Sequence, residues 1–180
     1  MKIAIFGGSF DPPHIGHESI VTQALKELEI DKLVVVPTFL NPFKQNSFLN
    51  AKTRLILLQK LFKHNDKIKV SNFEILKDRA VYSIETVKYL KKLYNTDKIY
   101  LIIGTDNLKD LHLWNAIEEL KTLVTFVVAT RSGYLNENYG KIETLNVNVK
   151  ISSTKLRGTL DLDFIPNIIK EDVKQLWQKT

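Results

Sequence analysis

The chain has 180 residues, of which 44% are hydrophobic and 26% charged, with no cysteine and a formal net charge of +6. This composition predicts a globular protein with a substantial core, one domain over residues 1–180, and it excludes disulfide scaffolds and thiolate chemistry. The 26 Lys and Arg against 20 Asp and Glu favour anionic partners, but they are scattered among acids and lack interleaved aromatics, so no nucleic-acid partner is expected.

No apolar run reaches membrane-spanning length, and "MKIAIF" is too short for a signal peptide, so no membrane partner and a cytoplasmic location are expected. Oligomeric state is left open, a homo-oligomer being compatible.

The opening run "KIAIF" (2–6) reads as a buried strand, followed by a helix over Glu18–Leu28 with apolar Ile20, Val21, Ala24, Leu25 and Leu28. Further strands are expected at 32–37, 67–75 ("KIKVSNFEI"), 98–103, 125–130 and 147–151 ("VNVKI"). Helical patterns lie at Ala51–Phe62, Ser83–Tyr94 and about Glu171–Gln178, and Asn115-x-x-Glu118 reads as a capping box for a helix to about Leu123. Alternating strands and helices imply an α/β fold: a Rossmann-like, doubly wound, mainly parallel sheet with helices on both faces and a small helical C-terminal segment. Right-handed crossovers put the post-strand turns on one edge, where such sheets bind ligands.

Two segments on that edge carry phosphate chemistry. In "GGSFDPPHIGH" (7–17), Gly7 and Gly8 let the backbone approach a ligand, and the next helix begins near Gly16, offering unpaired N–H groups and a positive dipole end. His14 and His17, three apart, can face the same anion from the first helical turn. The segment is also compatible with an ordinary strand–helix turn. A two-histidine zinc site lacks a third ligand nearby. In "ISSTKLRG" (151–158), Ser153 reads as a helix N-cap, with Lys155 and Arg157 on different sides of the helix.

Taken whole, GG-S-F-D-P-x-H-x-G-H resembles the "HxGH" signature of a nucleotidyltransferase superfamily, and "ISSTKLR" resembles that superfamily's second signature. "NFEILKDRAVYSIETV" (72–87), "LIIGTDNLKDLHLWNAIEEL" (101–120) and "VVATRSGY" (127–134) resemble elements of the bacterial nicotinate mononucleotide adenylyltransferases. The sequence departs from the pattern at Phe43, where the family has histidine, and at Ser132, where it has proline.

The resemblance implies ATP and nicotinate mononucleotide as substrates, nicotinate adenine dinucleotide and pyrophosphate as products, and Mg2+ carried with ATP, with no dedicated metal ligands. It implies catalytic roles for His14, His17, Lys44 and Arg157. ATP would be held by Gly7, Gly8, Ser9, Phe10, His14, His17, Gly104, Asp106, Ile151, Ser152, Ser153, Thr154 and Arg157. The mononucleotide would be held by Lys44, Tyr82, Ser83, Thr86, Trp114 and Arg131. Trp114 would stack on the pyridine ring, Thr86 would offer its hydroxyl to the ring carboxylate, and Arg131 would pair with the phosphate. Pantetheine-phosphate adenylyltransferase and a non-catalytic nucleotide sensor are the competing readings.

Overall fold

The computed structural model describes residues 1–42, 46–130, 143–147, 149, 151–159 and 161–178. Among them, strands β1 (Lys2–Gly8), β2 (Lys32–Pro37), β3 (Ile68–Val70), β4 (Lys98–Gly104), β5 (Thr125–Thr130) and β6 (Glu143–Asn146) form one sheet. Its order is β3-β2-β1-β4-β5-β6 and every pairing is parallel. Helices α1 (Ile15–Glu27), α2 (Ala51–Phe62), α3 (Phe73–Leu76), α4 (Ser83–Tyr94), α5 (Ile117–Leu123), α6 (Ser153–Thr159) and α7 (Lys170–Trp177) complete it.

The period-2 alternation of the strands divides the core between the two faces of the sheet. Ala4, Phe6, Leu33 and Val35 pack with Val21 of α1, Leu57 and Leu58 of α2 and Val173 of α7. Their neighbours Ile3, Ile5, Val34 and Val36 pack with Ile84, Val87 and Leu90 of α4 and Leu120 of α5. Burial of each such aliphatic side chain contributes about 1.5–3 kcal/mol. Helices on both faces of a parallel sheet make the fold Rossmann-like, as expected. The strand order reverses about β1, which opens a crevice at the carboxyl ends of β1 and β4, beyond Gly8 and Gly104. No helix among the described residues is long and apolar enough to cross a membrane.

Three local expectations are corrected. The run 67–75 is a strand only to Val70: Ser71 Oγ accepts the Phe73 N–H at 3.2 Å, and that turn starts α3. The last strand among the described residues is Glu143–Asn146, with Asn146 paired to Thr130, and Val147, Val149 and Ile151 lie outside it. Asn115 and Glu118 form no capping box; α5 starts from Ala116 in the left-handed region (φ 51°), and Glu118 pairs instead with Lys121 at 2.7 Å.

Segments beyond the carboxyl ends of β1 and β2 are gathered by one buried cation. Arg54 of α2 is 1% exposed. It donates to the Ser9 and Thr38 carbonyls (Nη1, 2.6 and 2.8 Å), the Phe39 carbonyl (Nη2, 2.8 Å) and the Leu49 carbonyl (Nε, 3.1 Å). Burial lowers its pKa, while the nearby Asp11 charge acts the other way. The C-terminal helix braces the same region, through Lys60–Asp172 at 2.6 Å and a Phe48–Trp177 ring contact at 4.5 Å. Arg54→Met leaves four buried or part-buried carbonyls without their donor and should cost about 3–5 kcal/mol, the range for breaking a buried charged network. Urea unfolding should show a lowered midpoint with unchanged slope; an unchanged midpoint would refute Arg54 as the organiser of these loops.

Candidate active site

The β1–α1 segment turns two histidines into the start of a helix. His14 is the N-cap of α1, and its Nδ1 accepts the Gly16 N–H at 3.2 Å. His17 Nδ1 accepts the His14 N–H, also at 3.2 Å, and the two rings stack with centroids 3.7 Å apart. A ring nitrogen that accepts cannot carry the proton, so each neutral imidazole presents Nε2 as its N–H donor. Gly16 leaves room for the rings: a Cβ would lie 3.0 Å from the His14 ring and 3.2 Å from Ile151 Cγ2, tighter than most Cβ contacts. Phe10, 1% exposed and with φ 50°, sets its ring edge-on to Phe6 and His17 at 5.3 and 4.8 Å.

Asp11, 3% exposed, joins this segment to two others. Its carboxylate accepts the Phe48 and Leu49 N–H groups at 2.7 and 2.8 Å. Its carbonyl accepts Arg157 Nη1 at 2.7 Å, and the Arg157 guanidinium lies 4.0 Å from the carboxylate. Ser153 Oγ donates to the Pro12 carbonyl at 3.3 Å. The opening segment and α6, some 140 positions apart, are therefore in direct contact. Ser152, not Ser153, precedes the helix: its Oγ accepts the Lys155 N–H at 3.2 Å, and Ser153 is the first helical residue.

Two cavities open on this edge. The first, of about 470 Å³, is lined by His14, His17, Gly104, Asp106 and Ser152–Thr154. The second, of about 430 Å³, is lined by Trp114, Tyr82, Ser83, Asn41, Thr38 and Glu74. They share the Gly7–Gly8–Ser9 backbone and Asn107 as a common wall. Glu74, 5% exposed, accepts the Thr86 hydroxyl on Oε1 at 2.6 Å. Burial pushes its carboxyl up to about 7, against the Thr86 hydrogen bond and with the Glu85 charge adding to the rise. Glu85 behaves oppositely, held low by Arg79 at 2.6 Å and by the Tyr82 N–H.

A family model described as cytidylyltransferase-like matches residues 5–159. A relative from Aliarcobacter butzleri, named "Probable nicotinate-nucleotide adenylyltransferase", is 53% identical over 98% of this chain and 97% of its own. The chain belongs to the nicotinate-nucleotide adenylyltransferase family. A second relative of the same name, from Campylobacter jejuni, is 48% identical over 99% of this chain and 98% of its own. The Plasmodium falciparum nicotinic acid mononucleotide adenylyltransferase, solved with NaAD, shares the fold with a TM-score of 0.75 at 22% identity, over 97% of this chain and 95% of that one.

Within this family's frame, the residues assigned by resemblance to ATP gather around the larger cavity, with Arg157 set apart from its lining and fastened to Asp11 and to the Thr154 hydroxyl. Tyr82, Ser83 and Trp114 line the smaller cavity. Thr86 is 3% exposed, and its hydroxyl donates to Glu74. Asp106 sits inside a 3₁₀ turn, Thr105–Asn107. Lys44 and Arg131, with Phe43 and Ser132, lie outside the described residues.

Sequence reasoning gave no role to Arg54, Asp11, Thr38 or Asn107. Arg54 left a legible trace: it occupies the first position of the stripe Arg54, Leu57, Leu58, Leu61, Phe62, all buried at i, i+3, i+4, i+7 and i+8. A charge on the apolar face of a helix signals a buried network.

Proposed function

We propose that the chain transfers the adenylyl group of ATP to nicotinate mononucleotide, giving nicotinate adenine dinucleotide and pyrophosphate. Residues 1–180 then act as one domain, in a cytoplasmic setting. The observation that carries this reading is the pair of cavities meeting at the Gly7–Gly8–Ser9 wall, one lined by two histidines and the helix start of α6, the other by an indole and a phenol. A reaction between two nucleotides needs such adjacent chambers with a thin partition, so that one phosphate can reach the other in line.

In this reading ATP occupies the larger cavity. The mononucleotide phosphate oxygen attacks the α-phosphorus, a new P–O bond forms, and the bond to the β-phosphate oxygen breaks with its electrons leaving on pyrophosphate. The nucleophile is already ionised, so no general base is required. The chain's task is to align the two phosphates and to offset developing negative charge. His14 and His17 would donate Nε2–H to the phosphates, the orientation that their backbone-bonded Nδ1 atoms favour. Arg157 would act as a positive field behind the loop rather than as a direct ligand, given its bond to Asp11. Lys44 would neutralise phosphate and Arg131 would pair with the mononucleotide. Trp114 would stack on the pyridine ring.

Among the described residues no group of three or more His, Cys, Asp or Glu is placed to hold a metal ion. A divalent cation, Mg2+ in our reading, would arrive on the ATP phosphates, where it offsets their charge.

The deciding experiment is pyrophosphate release from ATP with nicotinate mononucleotide, nicotinamide mononucleotide or phosphopantetheine as acceptor. The first should support turnover; release only with phosphopantetheine would make the protein a pantetheine-phosphate adenylyltransferase, and release with none would leave a nucleotide sensor. His17→Ala should lower kcat about a hundredfold, as loss of a transition-state donor does, and near-normal turnover would remove it from the mechanism. Trp114→Ala should raise the mononucleotide KM about tenfold with the ATP KM little changed, and equal effects on both would end its assignment to the pyridine.

A further inference from the structure

The smaller cavity contains a feature that adenylyl transfer itself does not use. Among the described residues, the buried side-chain oxygens without a hydrogen-bond partner are Thr38 Oγ1 and Glu74 Oε2, and both residues line this cavity. A buried polar oxygen left unpaired is destabilising, so two of them in one chamber point to a ligand that satisfies them. Glu74 is the only carboxyl group among the described lining residues. Thr86 clamps Oε1 at 2.6 Å, which leaves Oε2 as the buried carboxyl oxygen without a partner.

We propose that Glu74 selects the substituent of the pyridine ring: as a carboxylic acid its Oε2–H donates to a ring carboxylate, and once ionised it repels that carboxylate and accepts from a ring carboxamide instead. The inference rests on the reading of this cavity as the pyridine chamber.

The surroundings favour the acid. Glu74 packs beside β2, whose Val34 and Val36 belong to the apolar cluster on that face of the sheet. On α4 the facing groups are the Thr86 hydroxyl and the ionised Glu85, which discourages a second negative charge. Arg79 and Lys77 act on Glu85, and Tyr82 is the other ionisable group among the described lining residues. The two carboxyls thus differ: Glu85, beside Arg79, is held low, and Glu74, buried, is raised to about 7. With that proton poised near neutrality, a ring carboxylate is favoured below about pH 7 and loses its advantage as the pH rises through that value.

The test measures kcat/KM for nicotinate mononucleotide and for nicotinamide mononucleotide, with saturating ATP, across the neutral range, and follows their ratio. Ribose, phosphate and both histidines are common to the two reactions, so their titrations cancel in the ratio. In the wild type the ratio should fall about tenfold per pH unit above neutrality, carried by the acceptor KM. In Glu74→Gln, neutral at every pH yet still a donor, the ratio should be flat. A second readout needs no variant: wild-type calorimetry near pH 8 in buffers of different ionisation enthalpy should show proton uptake with the nicotinate ligand in excess of that with the nicotinamide ligand.

A pH-independent wild-type ratio, a ratio that still falls in Glu74→Gln, or equal proton uptake would overturn the inference while leaving the proposed reaction standing. Turnover with neither pyridine nucleotide would overturn the proposed reaction and the inference with it.

Discussion

A pair of oppositely charged, buried residues underlies the architecture of this molecule's working edge. Asp11 holds two backbone N–H groups of the segment before α2 and receives Arg157 on its carbonyl, while Arg54 draws in four carbonyls from the segments after β1 and β2 and before α2. Each charge is satisfied mainly by main-chain groups, which lets irregular backbone be buried without loss of hydrogen bonding. The parallel sheet brings the strand ends to one edge; these two side chains determine how the loops stand there.

The histidines depend on that framework. Their rings are oriented by the backbone of the turn that they themselves cap, with Gly16 admitting the His14 ring and Phe10 supporting His17. The α6 helix start is then pinned to the same loop through Ser153 and Arg157. Capping, packing and long-range bonding converge on one short stretch of chain.

Much of this was legible in the sequence, for identifiable reasons. β2, β5, α2 and α4 follow from strong local patterns: β-branched runs bounded by breakers, and apolar residues at helical spacing. The meeting of residues 7–17 with 152–157 followed from topology together with family resemblance. What escaped depends on partners distant in sequence. β6 is placed by its register against β5, which local propensity does not encode. The Thr86 hydroxyl could be assigned only once Glu74 was seen buried against it, and the N-cap of α6 shifted by one residue because two adjacent serines satisfy the same rule. Arg54 shows how a charge in an apolar stripe carries information that hydrophobic counting alone discards.

The brace between Phe48 and Trp177 links the tail of the chain to its opening loop, since the Phe48 N–H is one of the two that Asp11 holds. α7 thus fastens a loop that lies far from it in sequence. Through Phe48, a displacement of α7 is transmitted to the main-chain groups that Asp11 holds.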